Sequence, residues 1–180
     1  QYLDFAKWQR ECIDHPKMNQ ELEYWVRTLR DMPEEHGVPF DGKRGSVQPG
    51  LGKLHRFVFS TDLCTKVNRF CLQHQVTPFI FLQTCYALLI SKLSGRSDVV
   101  MGLALAGRTQ RETESLIGLF VNSLLLRSSL NSSGTFAHNL SRNKQTILDA
   151  YNHQNIPFDL LVEKLNPPRD LSKNPLFQLM

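Results

Sequence analysis

Nothing in this chain is apolar for long enough to cross a bilayer. The stretch that comes nearest, Pro78 to Leu93, is short for a span and is interrupted by Gln83, Thr84 and Lys92. Cysteine is sparse: Cys12, Cys64, Cys71 and Cys85 include no Cys-x-x-Cys pair, so a zinc or thioredoxin-type site lacks its ligands. Charge of one sign never gathers. Lysine and arginine number 21 against 17 acids, a net +4, and their scatter gives no reason to expect nucleic acid. The carboxylates of Glu34, Glu35, Asp62, Glu112 and Glu114 show no metal-binding spacing, and no glycine-rich phosphate loop is present. Internal repeats and low-complexity tracts are missing as well. No charged-plus-apolar leader opens the chain, so export and membrane insertion have no support. The chain starts without Met and inside a motif, as a piece of something longer would.

What is present is an ordinary globular composition, 41% apolar and 21% charged over 180 residues, enough for one sizeable core. Cys64 and Cys71 are seven apart in a helical pattern and share a face. Free, buried thiols in a reducing cytoplasm are expected.

Apolar spacing predicts a helix over 2–12, broken by Pro16, and a second from about Asn19 to Arg30 with Leu22, Trp25, Val26 and Leu29 on one stripe. Residues 32–52 mix Gly, Pro and charge without periodicity and read as a long exposed connection. Leu54 to Phe59 is rich in β formers and reads as a strand. Ser60 or Thr61 caps a helix to about Gln75, and Thr77-Pro78 opens another that Gly95 ends. That helix is apolar almost all round and is expected to lie sandwiched in the core. Val99–Ala106 and Phe120–Leu126 read as strands covered on both faces. Thr135 caps a helix over 136–152, Pro157-Phe158 starts a short one to Leu165, and Phe177–Met180 has the makings of a last strand. The class is α/β (α+β), a mixed sheet covered by helices.

Four segments stand out in order: Tyr2-x-Asp4-Phe5-Ala6-x-Trp8, Leu116-Ile117-Gly118-Leu119-Phe120-Val121-Asn122-Ser123, His153-Gln154-Asn155-Ile156-Pro157-Phe158-Asp159, and Arg169-Asp170-x-Ser172-Lys173-Asn174-Pro175-Leu176. Together they resemble consecutive motifs of a condensation domain from a nonribosomal peptide synthetase. Glu23-Tyr24-Trp25, Thr77-Pro78-Phe79 and Ala106-Gly107-Arg108 look like segments of the same family, so the resemblance covers nearly the whole chain.

The resemblance implies a chloramphenicol-acetyltransferase-like lobe. Residues 1–16 would link from a missing N-terminal lobe, and 17–180 would form the C-terminal lobe. It implies amide formation between thioesters on the phosphopantetheine arms of carrier domains, with an adenylation domain as neighbour and no cofactor bound directly. The family's His-His-x-x-x-Asp-Gly motif belongs to the N-terminal lobe. No His-His pair occurs in this sequence, so no catalytic residue is expected here and the piece alone is expected to be inactive. Epimerization and heterocyclization domains are rivals within the superfamily. A non-catalytic carrier-docking module is the rival of another class.

Asn122, Ser123 and Arg108 are the substrate-channel candidates. A primary amide in an apolar strand must find partners, either in a substrate or in the sheet. Gly107 allows close backbone approach, and Arg108 beside it is expected to pair with Glu112 or Glu114, or else to bind a ligand. By resemblance, Tyr2, Asp4, Trp8, His153, Gln154, Pro157, Phe158, Arg169, Asp170, Ser172 and Asn174 belong to the lobe interface or the scaffold. His153 is expected to cap a helix end or tether a loop rather than act as a base. Arg169 and Asp170 can pair, and Ser172 and Asn174 are turn formers before Pro175.

Overall fold

A computed structural model describes every residue except Asp14, Lys43, Arg44 and Pro49. Parts of the 1–16 segment and of the 32–52 connection therefore lie outside the described residues. Helices α1 (Tyr2–Ile13), α2 (Pro16–Thr28), α3 (Thr61–Gln73) and α4 (Pro78–Ser94) lead to strand β1 (Asp98–Leu105). A 3-10 turn at Arg111–Thr113, strand β2 (Asn122–Ser129) and helices α5 (Phe136–Asn152) and α6 (Phe158–Leu165) follow.

Helix starts follow local chemistry. Ser60, Thr77 and Thr135 each accept a hydrogen bond at 3.2 Å from the amide three residues on, at Leu63, Ile80 and His138. Gly95 ends α4 in the left-handed conformation, φ 70°. Pro16 stops α1 and also starts α2: it occupies the first turn, where a missing N–H costs nothing. The His15 ring nitrogen takes the amide of Lys17.

Strands β1 and β2 pair antiparallel, from Asp98 opposite Ser129 to Leu105 opposite Asn122. They form a two-stranded sheet, narrower than the mixed sheet expected. Val99, Val100 and Met101 are buried in succession, so that part of β1 is covered on both faces. The main core joins the β2 leucines Leu124, Leu125 and Leu126 to Trp25, Leu140, Ile147 and Leu161. Trp25 is 1% exposed, and its indole N–H donates to the His153 carbonyl at 2.8 Å. Arg127 clips the end of α2 to the sheet: it chelates Asp98 and donates to the carbonyls of Thr28 and Arg30.

Four expectations need correction. Residues 54–59 form no strand; all are exposed, because a strand needs a bonded neighbour and no edge of the sheet reaches them. Phe177–Met180 is not a strand either. Its one backbone hydrogen bond to β1 among the described residues runs from the Gly102 amide to Leu179 O at 2.7 Å, and the Phe177 ring packs over Gly102. Helix α4 is not sandwiched. Ile80, Ala87 and Ile90 are buried, while Phe79, Leu82, Tyr86, Leu89 and Leu93 are 38–53% exposed. Cys64 is exposed although Cys71 is buried, since α3 meets the core only through its last turns. Among the described residues no single helix is long and apolar enough to cross a membrane.

Candidate functional site

The far end of the sheet, where Leu105 faces Asn122, opens into a groove of about 540 Å³. Helix α1 and the start of α2 wall one side, the 119–123 segment lines the floor, and the turn from Gln154 to Asp159 closes the other side. Of the residues singled out from the sequence, Tyr2, Trp8, Asn122, Ser123, Gln154, Pro157 and Phe158 line it. Asp4, Arg108, His153, Arg169, Asp170, Ser172 and Asn174 do not.

The floor is held by close backbone approach. Gly107 has φ 66°, and any Cβ there would collide with the Phe120 carbonyl, so both conformation and space demand glycine. Gly118 lies under the Tyr2 ring, and the Tyr2 hydroxyl donates to Leu119 O at 3.0 Å. Tyr2 and Phe5 pack on Phe120 at centroid distances of 5.3 and 4.8 Å. Each such aromatic pair adds about 0.5–1.5 kcal/mol beyond its buried area.

The Arg108 guanidinium lies 4.2 Å from the Phe120 ring centre and donates to the carbonyls of Thr113 and Leu116. The expected ion pair with Glu112 or Glu114 is absent among the described residues. The carbonyls of the 113–116 turn lie nearer and engage the planar fork, so Arg108 braces the loop that carries Gly118 and Phe120.

Asn122 is saturated by one turn of chain. Its Nδ2 donates to Ile156 O at 2.8 Å and to Gln154 O at 3.4 Å, and its Oδ1 accepts from the Phe158 amide at 3.0 Å. The side chain thereby fixes the 154–158 turn onto the mouth of the sheet. Ser123 sits beside it in the groove lining, opposite Ala104.

His153 lies behind the groove. Its ring stacks on Tyr24 at 3.7 Å, and Nδ1 lies 2.7 Å from Asp149 O, so that nitrogen carries the proton. Burial raises the Tyr24 phenol above its ordinary pKa. In the last motif, Asn174 Oδ1 accepts from the amides of Leu176 and Phe177, and Asp170 takes the Ser172 amide and faces Lys173 Nζ at 3.8 Å. Asp4 is exposed on α1.

The groove also holds a residue that sequence reading passed over. Glu21 is 6% exposed and lines it. One carboxylate oxygen, Oε1, accepts from Asn155 Nδ2 at 3.2 Å; the other, Oε2, is buried with no hydrogen-bond partner among the described residues. Leaving a buried acceptor open costs about 1–3 kcal/mol. The signal was available: Glu21 falls three after Met18 and four before Trp25, on the buried stripe of α2, where a charge is out of place.

Comparison with known proteins bears on the whole chain. The condensation domain family model matches residues 1–180. Tyrocidine synthase 3 of Brevibacillus parabrevis is 38% identical over 100% of this chain, which spans only 3% of that relative. A four-domain nonribosomal peptide synthetase bound to AMP and glycine superposes with a TM-score of 0.87 at 27% identity, over 89% of this chain and 12% of that one. The X-domain from teicoplanin biosynthesis reaches a TM-score of 0.92 at 22% identity, over 99% of this chain and 41% of that one, a likeness of fold. The helices and small antiparallel sheet are thus those of the chloramphenicol-acetyltransferase-like fold shared by condensation domains. Matched from end to end, this chain belongs to the condensation domain family.

Proposed function

We propose that residues 17–180 are the C-terminal lobe of a condensation domain, that residues 1–16 cross from its N-terminal lobe, and that the whole domain makes amide bonds in nonribosomal peptide synthesis. The substrates are two acyl groups held as thioesters on phosphopantetheine arms of carrier domains, with an adenylation domain as neighbour in the same synthetase. The acceptor's α-amine attacks the donor's thioester carbonyl. A C–N bond forms, the C–S bond breaks, and the donor arm leaves as a thiol that takes up the proton the amine gives up. The base that handles this proton belongs to the N-terminal lobe in this reading, since this chain contains no His-His pair.

The supporting observation is the groove itself. Three of the four motif segments, distant in sequence, line one cavity: Tyr2 to Trp8, Leu119 to Ser123, and Gln154 to Asp159. In this reading the groove is one wall of the reaction channel. Asn122 is a positioning residue: it holds the turn that shapes the wall and leaves the chemistry to other groups. Holding two tethered reactants in register can supply up to about 7–11 kcal/mol of the barrier.

The test supplies both loaded carriers and follows dipeptidyl-carrier formation by mass spectrometry. The intact synthetase is expected to form the dipeptide and the 180-residue chain alone is not. Product from the isolated chain above background, or none from the intact protein with both carriers loaded, contradicts the reading.

A further inference from the structure

We propose that the last motif, Arg169 to Leu176, acts on the groove from behind through the residue that follows it, and that Phe177 is a positioning residue for the wall at Phe158. This rests on the groove being one wall of the reaction channel. None of the motif's residues is in the described lining. They shape a turn instead. Asn174 Oδ1 accepts from the amides of Leu176 at 3.1 Å and Phe177 at 3.4 Å, and Lys173 Nζ ties the turn to Glu35 at 2.9 Å. The turn carries Leu176 and Phe177 into the core, where both are buried.

Two contacts give the Phe177 ring its place. It packs over Gly102 of β1, where a Cβ would collide with it. Gly102 is buried in the strand and is not among the glycines of positive φ, so what glycine supplies here is room and not backbone freedom. The ring also meets Phe158 edge-on, with centroids 5.8 Å apart and planes at 68°. Phe158 lines the groove, and its amide is the one that donates to Asn122 Oδ1 at 3.0 Å. The start of α6 is thus held twice, by Asn122 through its backbone and by Phe177 through its side chain. A close-packed interior passes a displacement on to its neighbours, so a shift of the Phe177 ring reaches the groove lining in one contact.

The experiment places Phe177→Leu, Gly102→Ala, the double variant and a control, Leu176→Val, in the intact synthetase. Dipeptide formation is followed against carrier concentration and expressed per folded molecule. A carrier domain is too large for a groove of about 540 Å³, so its docking should leave KM unchanged, and a misplaced wall should show in kcat. Phe177→Leu and Gly102→Ala are each expected to lower kcat about fivefold or more. In the double variant the alanine methyl takes room the ring has vacated, so Gly102→Ala should cost nothing further once Phe177→Leu is present. Leu176→Val alters an equally buried neighbour that makes no ring contact with Phe158, and should keep the wild-type kcat. In the 180-residue chain, hydrogen exchange at the Phe158 amide should quicken about fivefold in Phe177→Leu and stay unchanged in Leu176→Val. An unchanged kcat in Phe177→Leu overturns the inference, as do additive losses in the double variant or an equal loss in Leu176→Val. If Phe177→Leu does not fold, Gly102→Ala decides by the same kcat and exchange measurements. A wild-type synthetase that forms no dipeptide sinks the reading of the channel instead, and the exchange rates then decide whether Phe177 holds Phe158.

Discussion

Two polar clusters hang on strand β2, one near each end, and they are finished differently. At Ser128 the cluster is sealed. Ser128 Oγ donates to Asn143 Oδ1 at 2.8 Å, Asn143 Nδ2 donates to Thr84 Oγ1 at 2.8 Å and to Gln83 Oε1, and Gln83 Nε2 returns to Ser128 Oγ at 3.4 Å. All four residues are buried, and none of their side-chain polar atoms lacks a partner. At Asn122 the strand meets the groove. There the amide is saturated by the 154–158 turn, but the carboxylate braced by Asn155 keeps one oxygen open. A closed network fixes how α4, α5 and β2 pack. The cluster at the groove fixes only the 154–158 turn and leaves one buried oxygen without a partner among the described residues.

The largest expected effect breaks the sealed end. Asn143→Ala leaves Gln83 Oε1 and the Ser128 hydroxyl proton without partners in the interior and should destabilise the chain by about 3 kcal/mol in a urea melt. A loss below about 1 kcal/mol would mean that water replaces the amide, and the two clusters would no longer differ in kind. Asn122→Ala at the open end should cost less, about 2 kcal/mol, because the amides and carbonyls it frees border the groove and can reach solvent. Its larger effect should be on the groove, seen as faster hydrogen exchange at Phe158, whose amide loses its acceptor. Away from both clusters, Lys173→Ala removes the ion pair with Glu35 at 2.9 Å and should cost only about 0.5–1 kcal/mol, since Glu35 is half exposed.

A pH titration sharpens the comparison from behind the groove. Burial raises the folded-state pKa of Tyr24, so the neutral phenol is the form the fold favours. Its contribution to stability is complete below about pH 10, the unfolded value, and is lost as pH climbs through the raised folded value. Ultraviolet difference spectra should show this tyrosine ionising after its exposed counterparts. Simultaneous ionisation of all four would mean the His153 stack leaves it open to water.

Much of the fold was legible because it is set locally. Ser60, Thr77, Thr135 and Gly95 announce helix ends through their own side chains or lack of one. The apolar runs of β1 and β2 announce themselves as well. What failed depends on neighbours. Residues 54–59 have strand composition, yet a strand exists only where an edge receives it. An all-round apolar pattern in α4 does not say which side is covered. At the groove, the motifs named the right segments, but the partners of Asn122 lie more than thirty residues away. The ion pair expected of Arg108 gave way to backbone carbonyls, which no pattern of charges reveals. Glu21 was visible as an acid on a buried stripe, but its open oxygen emerges only once Asn155 is in place.

The most direct test compares the two ends of β2 in one assay. Asn122→Ala and Asn143→Ala would be placed in the intact synthetase, supplied with both loaded carriers, and assayed at a temperature where both variants are folded. Asn122→Ala is expected to lose about tenfold or more in dipeptide formation per folded molecule, as small displacements of a positioning wall do, while Asn143→Ala stays near wild type. If both lose activity only in step with their folded fraction, or if Asn143→Ala loses more, the groove is scaffold like the rest and the central claim is wrong.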